Sequence, residues 1–214
     1  MTPLILALDT THEHGSIALG GRLSEEEALH EPGGFSRILF DCIARLLERH
    51  ALKVADIDCF AAAAGPGSFT GVRVGLACVK GLAEALQKPA FGVSNLQAMA
   101  RFGTAPLRAV ALDARRGEIY GAVYDAAGSL VSPEVVAPLD SWLASLPAGI
   151  AEFICSGVTP PLPPGSLLVT PPHALAAVIA HVAAERLARG DSGDPAAIDA
   201  NYVRRSDAEL FGPR

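Results

Sequence analysis

Ala7-Leu8-Asp9-Thr10-Thr11-His12-Glu13-His14-Gly15-Ser16-Ile17-Ala18-Leu19 closes one apolar strand, turns, and opens a second. About half the chain later the pattern returns. Ala111-Leu112-Asp113 ends an apolar strand, Ala114-Arg115-Arg116-Gly117 turns, and Ile119-Tyr120-Gly121-Ala122-Val123-Tyr124 follows. Each copy passes a glycine turn (Gly20-Gly21, then Gly128) into a more polar strand, and helical patterns come next. Hairpins in this order build the edge of a sheet. Strands in hairpins that then alternate with helices, twice over, predict a two-lobed α/β protein with a cleft between the lobes. We place the first lobe at 1–105 and the second at 106–214, with the last helix and tail able to pack back on the first.

Working outward, Phe35–Arg49 carries apolar residues at helical spacing: Ile38, Leu39, Cys42, Ile43, Leu46 and Leu47. Asp58–Ala64 reads as a short buried strand. Gly65-Pro66-Gly67-Ser68-Phe69-Thr70-Gly71 then turns into a helix over Val72–Leu86. Phe91–Val93 is a strand, and Ser94 caps a helix over Asn95–Ala100. In the second half, Cys155–Gly157 and Leu167–Val169 read as strands. A helix runs from about Ala174 to Arg189, ended by Gly190.

Composition narrows the class. Of 214 residues, half are hydrophobic and 19% are charged, which suits a buried core and not a disordered chain. No apolar stretch is long enough for a membrane span. Met1–Leu6 runs straight into a strand without a charged leader, so no secretion signal is expected. Cys42, Cys59, Cys78 and Cys155 are scattered in apolar surroundings and read as buried thiols of a cytoplasmic protein. Net charge is −6, and only Arg115-Arg116 and Arg204-Arg205 are paired basic residues. Either pair can touch a phosphate or be a solvated surface pair; independent RNA binding is not expected.

The strand order is that of the actin-like, hexokinase-like and Hsp70-like (ASKHA) nucleotide-binding folds, whose hairpin turns grip phosphate and Mg²⁺. A phosphate turn needs an Asp and then a glycine that lets the backbone approach. Asp9-Thr10-Thr11-His12-Glu13 has no glycine before Gly15, and Glu13 adds a negative charge. Asp113-Ala114-Arg115-Arg116 is bulky, and Gly157 is followed by Val158-Thr159-Pro160-Pro161 where a second glycine would serve adenine. The reading is a nucleotide fold with degenerate phosphate turns at Asp9, Thr10, Thr11 and Asp113. His12 and His14 lack a third metal ligand. Ser68 has no identifiable base, so no metal or catalytic residue is assigned.

The glycine loop itself is neither a Walker loop nor a dinucleotide fingerprint. It is an anion cradle at a helix N-terminus or a plain strand-to-helix turn. In the helix that follows, Gly71, Gly75, Cys78 and Gly81 recur at spacings of four, three and three, beside Val74, Leu82 and Ala85. A glycine inside a helix costs about 1 kcal/mol relative to Ala. Such a face serves close approach, either to the chain's own core or to a partner helix.

The run Gly65–Leu76 closely resembles the signature of the bacterial TsaB (YeaZ) family. Ile5–Thr11, Ala111–Tyr120 and the tail Asn201–Glu209 are similar to that family as well, in the same order along the chain. The resemblance implies a non-catalytic scaffold subunit, not an enzyme, in the complex that makes threonylcarbamoyladenosine in tRNA. It implies pairing with a TsaD-like catalytic subunit, a TsaE-like ATPase, and self-association into a homodimer. tRNA would be met only through the complex. No cofactor of its own is implied; ATP or ADP belongs at an interface shared within the complex. The family's dimer contact uses the first two helices. That assigns Ser36, Leu39, Ile43, Leu46, Gly71, Val72, Val74, Gly75, Cys78 and Leu82 to the partner interface. The chain departs from the family at Gly34-Phe35-Ser36, where many members have His-Ser. A small-molecule kinase or a glycoprotease-like enzyme of the same fold, and a scaffold unrelated to tRNA, remain the alternatives.

Overall fold

The computed structural model describes residues 2–31 and 34–204. Arg205, and with it the stretch 205–209 of the tail resemblance, lies outside the described residues. By its internal contacts the chain divides into two units. The first is Met1–Asn95 with His173–Ala200; the second is Leu96–Pro172 with the described residues beyond Ala200. The boundary expected at 105/106 therefore falls ten residues earlier, and the last helix belongs to the first unit.

In the first unit, β1 (Leu4–Asp9), β2 (His14–Gly21), β3 (Glu25–His30), β4 (Cys59–Gly65) and β5 (Ala90–Ser94) form one sheet. Its order is β3-β2-β1-β4-β5. The β1–β2 and β2–β3 pairs are antiparallel; β1–β4 and β4–β5 are parallel. Every residue of β1 and β4 is buried. Central parallel strands are covered on both faces, so they read as unbroken apolar runs.

Leu4, Leu6 and Leu8 enter a cluster with α1 (Leu39–Arg49) and α2 (Phe69–Leu86). The alternate face of β1, with Ile5 paired to Gly20, lies under α5 (Ala176–Ala188). A Cβ on Gly20 would stand 2.5 Å from the Ala180 Cβ. The small residues of α5 let it seat this closely, which is why it joins the first unit. Leu175 N–H and Ala176 N–H donate to Ser16 Oγ at 3.2 and 3.0 Å, fixing the start of that helix.

The helix expected over Phe35–Arg49 is a 3-10 turn, Phe35–Arg37, followed by α1. The helix expected from Val72 starts at Phe69, because Ser68 Oγ accepts the Gly71 N–H and caps it.

The second unit repeats the arrangement. β6 (Leu107–Asp113), β7 (Glu118–Asp125), β8 (Leu130–Pro138), β9 (Glu152–Ser156) and β10 (Leu167–Val169) lie in the order β8-β7-β6-β9-β10. The same antiparallel hairpins and parallel crossovers recur. The short α3 (Asn95–Ala100) leads into this unit. Helix α4 (Leu139–Ser145), absent from the sequence reading, packs Trp142 on Gly121, where a Cβ would meet the indole at 2.5 Å. Glu152 is buried and accepts the Thr104 and Ala105 N–H groups at 2.8 and 2.9 Å. The buried Arg108 guanidinium beside it bonds the Ala100 and Ala105 carbonyls. This staple holds the segment before β6 in place.

All four cysteines are free and buried. Burial pushes the Cys59 and Cys155 thiols up to about 12 and Cys78 to about 11. On the surface, Glu25 is held below the usual carboxylate range by hydrogen bonds from His50 and Arg49. No helix among the described residues is long and apolar enough to cross a membrane.

Candidate functional site

Both repeat turns are capped by their own aspartate. In the first, Asp9 Oδ1 accepts the Thr11 N–H at 2.9 Å and the Thr11 hydroxyl at 2.6 Å. In the second, Asp113 Oδ1 accepts the Arg115 N–H at 2.8 Å. An aspartate that binds the backbone two residues on stabilises a turn by itself. The repeated Ala-Leu-Asp thus has a structural reason in each unit.

The first turn is then covered by the glycine loop and α2. Ser68 N–H donates to the Thr11 carbonyl at 2.7 Å, and the Thr10 hydroxyl donates to the Gly71 carbonyl at 2.7 Å. A Cβ on Gly67 would lie 2.7 Å from the Thr11 carbonyl oxygen. On Gly71 it would lie 2.0 Å from the Thr10 carbonyl oxygen, and on Gly75 2.7 Å from Thr10 Oγ1. Glycines 67, 71 and 75 form one stripe seated on Thr10-Thr11. The buried Asn95 side chain ties the assembly together: its Nδ2 donates to Thr11 Oγ1 at 2.6 Å, and its Oδ1 accepts the Gly65 N–H at 3.2 Å. Thr11 Oγ1 spends its one proton on Asp9, so His12 Nδ1, 2.9 Å away, faces it as a donor. Asn95 was not singled out in the sequence; nothing in its spacing marks it as the bridge.

The residues assigned to the partner interface divide between core and surface in the structure. Leu39, Ile43 and Leu46 are buried in the first unit's own core, because the apolar stripe of α1 is the face that sits on the sheet. Val72, Gly75 and Cys78 are buried likewise, and Gly71 is pressed on Thr10. Val74 and Leu82 are half-buried against the same core, and Ser36 is exposed. Gly81, at the far end of the small face, has open space above it.

What α1 and α2 present outward shares Ile43 and Leu82 with that assignment and adds Phe40. Phe40 is 61% exposed. A groove of about 340 Å³ beside it is lined by Ile43, Ala44, Leu47, Val54 and Leu82 among others. At the start of α2, Phe69 is exposed with the Arg73 guanidinium 3.8 Å over its ring. Helical spacing found the inward stripe; Phe40 breaks that period, and an exposed aromatic off the stripe was the signal available.

His14 does not pair with His12. It is the cross-strand partner of His30 and stacks on it at 5.6 Å, with His173 on its other side at 5.1 Å. Among the described residues no three His, Cys, Asp or Glu side chains are arranged to hold a metal. Ser68 serves as a helix cap. Gly157, at φ 71°, sits against Asp113, 2.9 Å from its Cβ to a Cβ placed there.

The two units, each a five-stranded sheet with its hairpin turn closed by its own aspartate, define a duplicated α/β protein of the actin-like class. Residues 32–154 match the family model described as TsaD: tRNA N6-adenosine threonylcarbamoyltransferase. The tRNA threonylcarbamoyladenosine biosynthesis protein TsaB of Escherichia coli K12 is 39% identical over 126 residues, covering 56% of this chain and 54% of that protein. The TsaB protein of Haemophilus influenzae is 38% identical over 122 residues, covering 54% and 51%. The chain thus spans about half the length of these curated relatives. The solved structure of YeaZ from Pseudomonas aeruginosa superimposes with a TM-score of 0.78 at 28% identity, over 94% of this chain and 99% of that one. The chain belongs to the TsaB (YeaZ) family, within the broader family that the TsaD model describes.

Proposed function

We propose that this chain takes part in forming threonylcarbamoyladenosine in tRNA, as a non-catalytic subunit that supports a TsaD-like transferase. The observation that carries the pairing is the outward face of α1 and α2: a 61% exposed Phe40 beside an apolar groove in a chain of this family. An exposed aromatic rimmed by apolar surface is the kind of anchor that dominates protein interfaces. The occupant is the equivalent helix pair of the TsaD-like subunit, or of a second copy when that subunit is missing. A TsaE-like ATPase joins the pair, and any ATP or ADP belongs to the shared interface.

The non-catalytic role is supported by the closed turns. Asp9, Thr10 and Thr11, which would face a phosphate, are engaged with each other, with Asn95 and with α2. The test is co-purification with the TsaD-like protein of the same cell. Phe40→Glu leaves the fold intact and abolishes capture. Undiminished capture by a folded Phe40→Glu variant refutes the assigned face. Robust ATP hydrolysis or threonylcarbamoyl transfer by the pure chain, contaminants excluded, refutes the non-catalytic role.

A further inference from the structure

Of the two basic pairs in the sequence, the described half of one is spent internally. Arg204 donates to the Ala114 carbonyl at 2.9 Å and pairs with Glu118, its guanidinium 5.7 Å from the Tyr120 ring centre. It thereby clamps the turn that carries the other pair. Five arginines and no lysine occur in the described residues of the second unit. Arg108 is buried with Glu152, Arg101 packs on the turn at Gly128, and Arg204 is clamped. Arg115 and Arg116 are the two whose side chains stand exposed, side by side at the tip of the β6–β7 turn.

Their backbone is unusual. Arg115 and Arg116 have φ of 65° and 58°, and Gly117 follows at 76°. Side chains rarely adopt this left-handed region; a turn of this shape is made at less cost by Asn or Gly. The conformation persists because it is over-determined. Asp113 Oδ1 takes the Arg115 N–H, Ala114 N–H bonds the Glu118 carbonyl, Glu118 N–H bonds the Arg115 carbonyl, and Arg204 holds Ala114. Arginine is not a residue type that such a backbone favours. Held strain of this kind points to a use for the side chains.

We propose that Arg115 and Arg116 form a contact for RNA phosphates, presented on a rigid turn. The inference rests on the reading that the chain works on tRNA. Guanidinium groups bind phosphate oxygens in pairs, and a fixed backbone spares part of the ordering cost. In a chain of net charge −6 the contact is local and weak alone, so it shows at low salt.

The experiment uses the full chain and a tRNA transcript, with fluorescence anisotropy followed from low to physiological salt. Arg115→Asn/Arg116→Gly removes both charges while suiting the left-handed backbone. It should melt no earlier than the parent. It should also flatten the slope of log K against log salt by about 1.4 to 1.8, the share of two phosphates. Arg115→Lys/Arg116→Lys should keep the slope. An unchanged slope in the Asn/Gly variant overturns the proposal, as does an absence of RNA binding by the parent at the lowest salt. Loss of TsaD-like partner capture with the RNA slope unchanged assigns the pair to a protein surface instead, and also overturns it. A failed capture experiment with the slope change intact counts against the complex and leaves this contact standing.

Discussion

Alanine at Gly71 and alanine at Gly81 should have opposite effects on stability, although both replace a glycine of α2. Helix propensity favours alanine by about 1 kcal/mol in an interior position and by less in the first turn. At Gly81 nothing lies within 4 Å of the added Cβ, so Gly81→Ala should stabilise by about 0.5–1 kcal/mol. At Gly71 the Cβ would fall 2.0 Å from the Thr10 carbonyl oxygen, a backbone atom that cannot swing aside. Separating α2 from the turn costs about 1–3 kcal/mol as overpacking. It also stretches the Thr10–Gly71 hydrogen bond, for about 1 kcal/mol more. Against a propensity gain of under about 1 kcal/mol, the balance is roughly 2 kcal/mol of destabilisation. For a chain of this length that is a fall in Tm of about 4–8 °C. Urea unfolding followed by circular dichroism gives the free energies, and thermal melts give the midpoints. A Gly71→Ala variant as stable as Gly81→Ala would mean that the glycine stripe is not seated on the first turn.

Asn95→Ala should destabilise by about 1–3 kcal/mol in the same urea assay, because the Gly65 N–H loses its buried acceptor and Thr11 loses a donor. Glu152→Ala should cost about 3 kcal/mol, since it strands two backbone N–H groups beside a buried arginine; a loss under about 0.5 kcal/mol would show that the staple is idle. Native protein at pH 8 should resist a thiol reagent at Cys59, Cys78 and Cys155 and label fully in denaturant. The folded thiols stay protonated above pH 9 while unfolded ones ionise, so the unfolded state binds fewer protons there. Stability should therefore fall as pH rises above about 9, and a flat urea midpoint from neutral pH to beyond 9 would contradict the thiol shifts.

Much of the molecule is legible in the sequence. The apolar runs of β1 and β4, the hairpin that follows each Ala-Leu-Asp, and the helical spacing of Leu39–Leu47 are local patterns, and local patterns specify local structure. The run Gly65–Leu76 identified the family for the same reason: it is contiguous. Helix α4 escaped because seven residues with one aromatic are too few for a period to show.

Coverage is another matter. Periodicity says which residues share a face and not what lies over that face. Leu39, Ile43 and Leu46 read equally as core or interface, and only the sheet beneath them made them core. The spacing of Gly71, Gly75, Cys78 and Gly81 promised close approach, but tertiary folding seated Gly71 and Gly75 on Thr10 of the same chain, some sixty residues away along the sequence. The last helix follows a second-unit strand in sequence yet packs on β1 and β2, because its alanines match the Gly20 side of that sheet. Residue types and their order determined the strands, the helices and the family. Which surfaces were used up within the chain, and which, like Phe40, were left facing outward, was decided by long-range packing that no local pattern encodes.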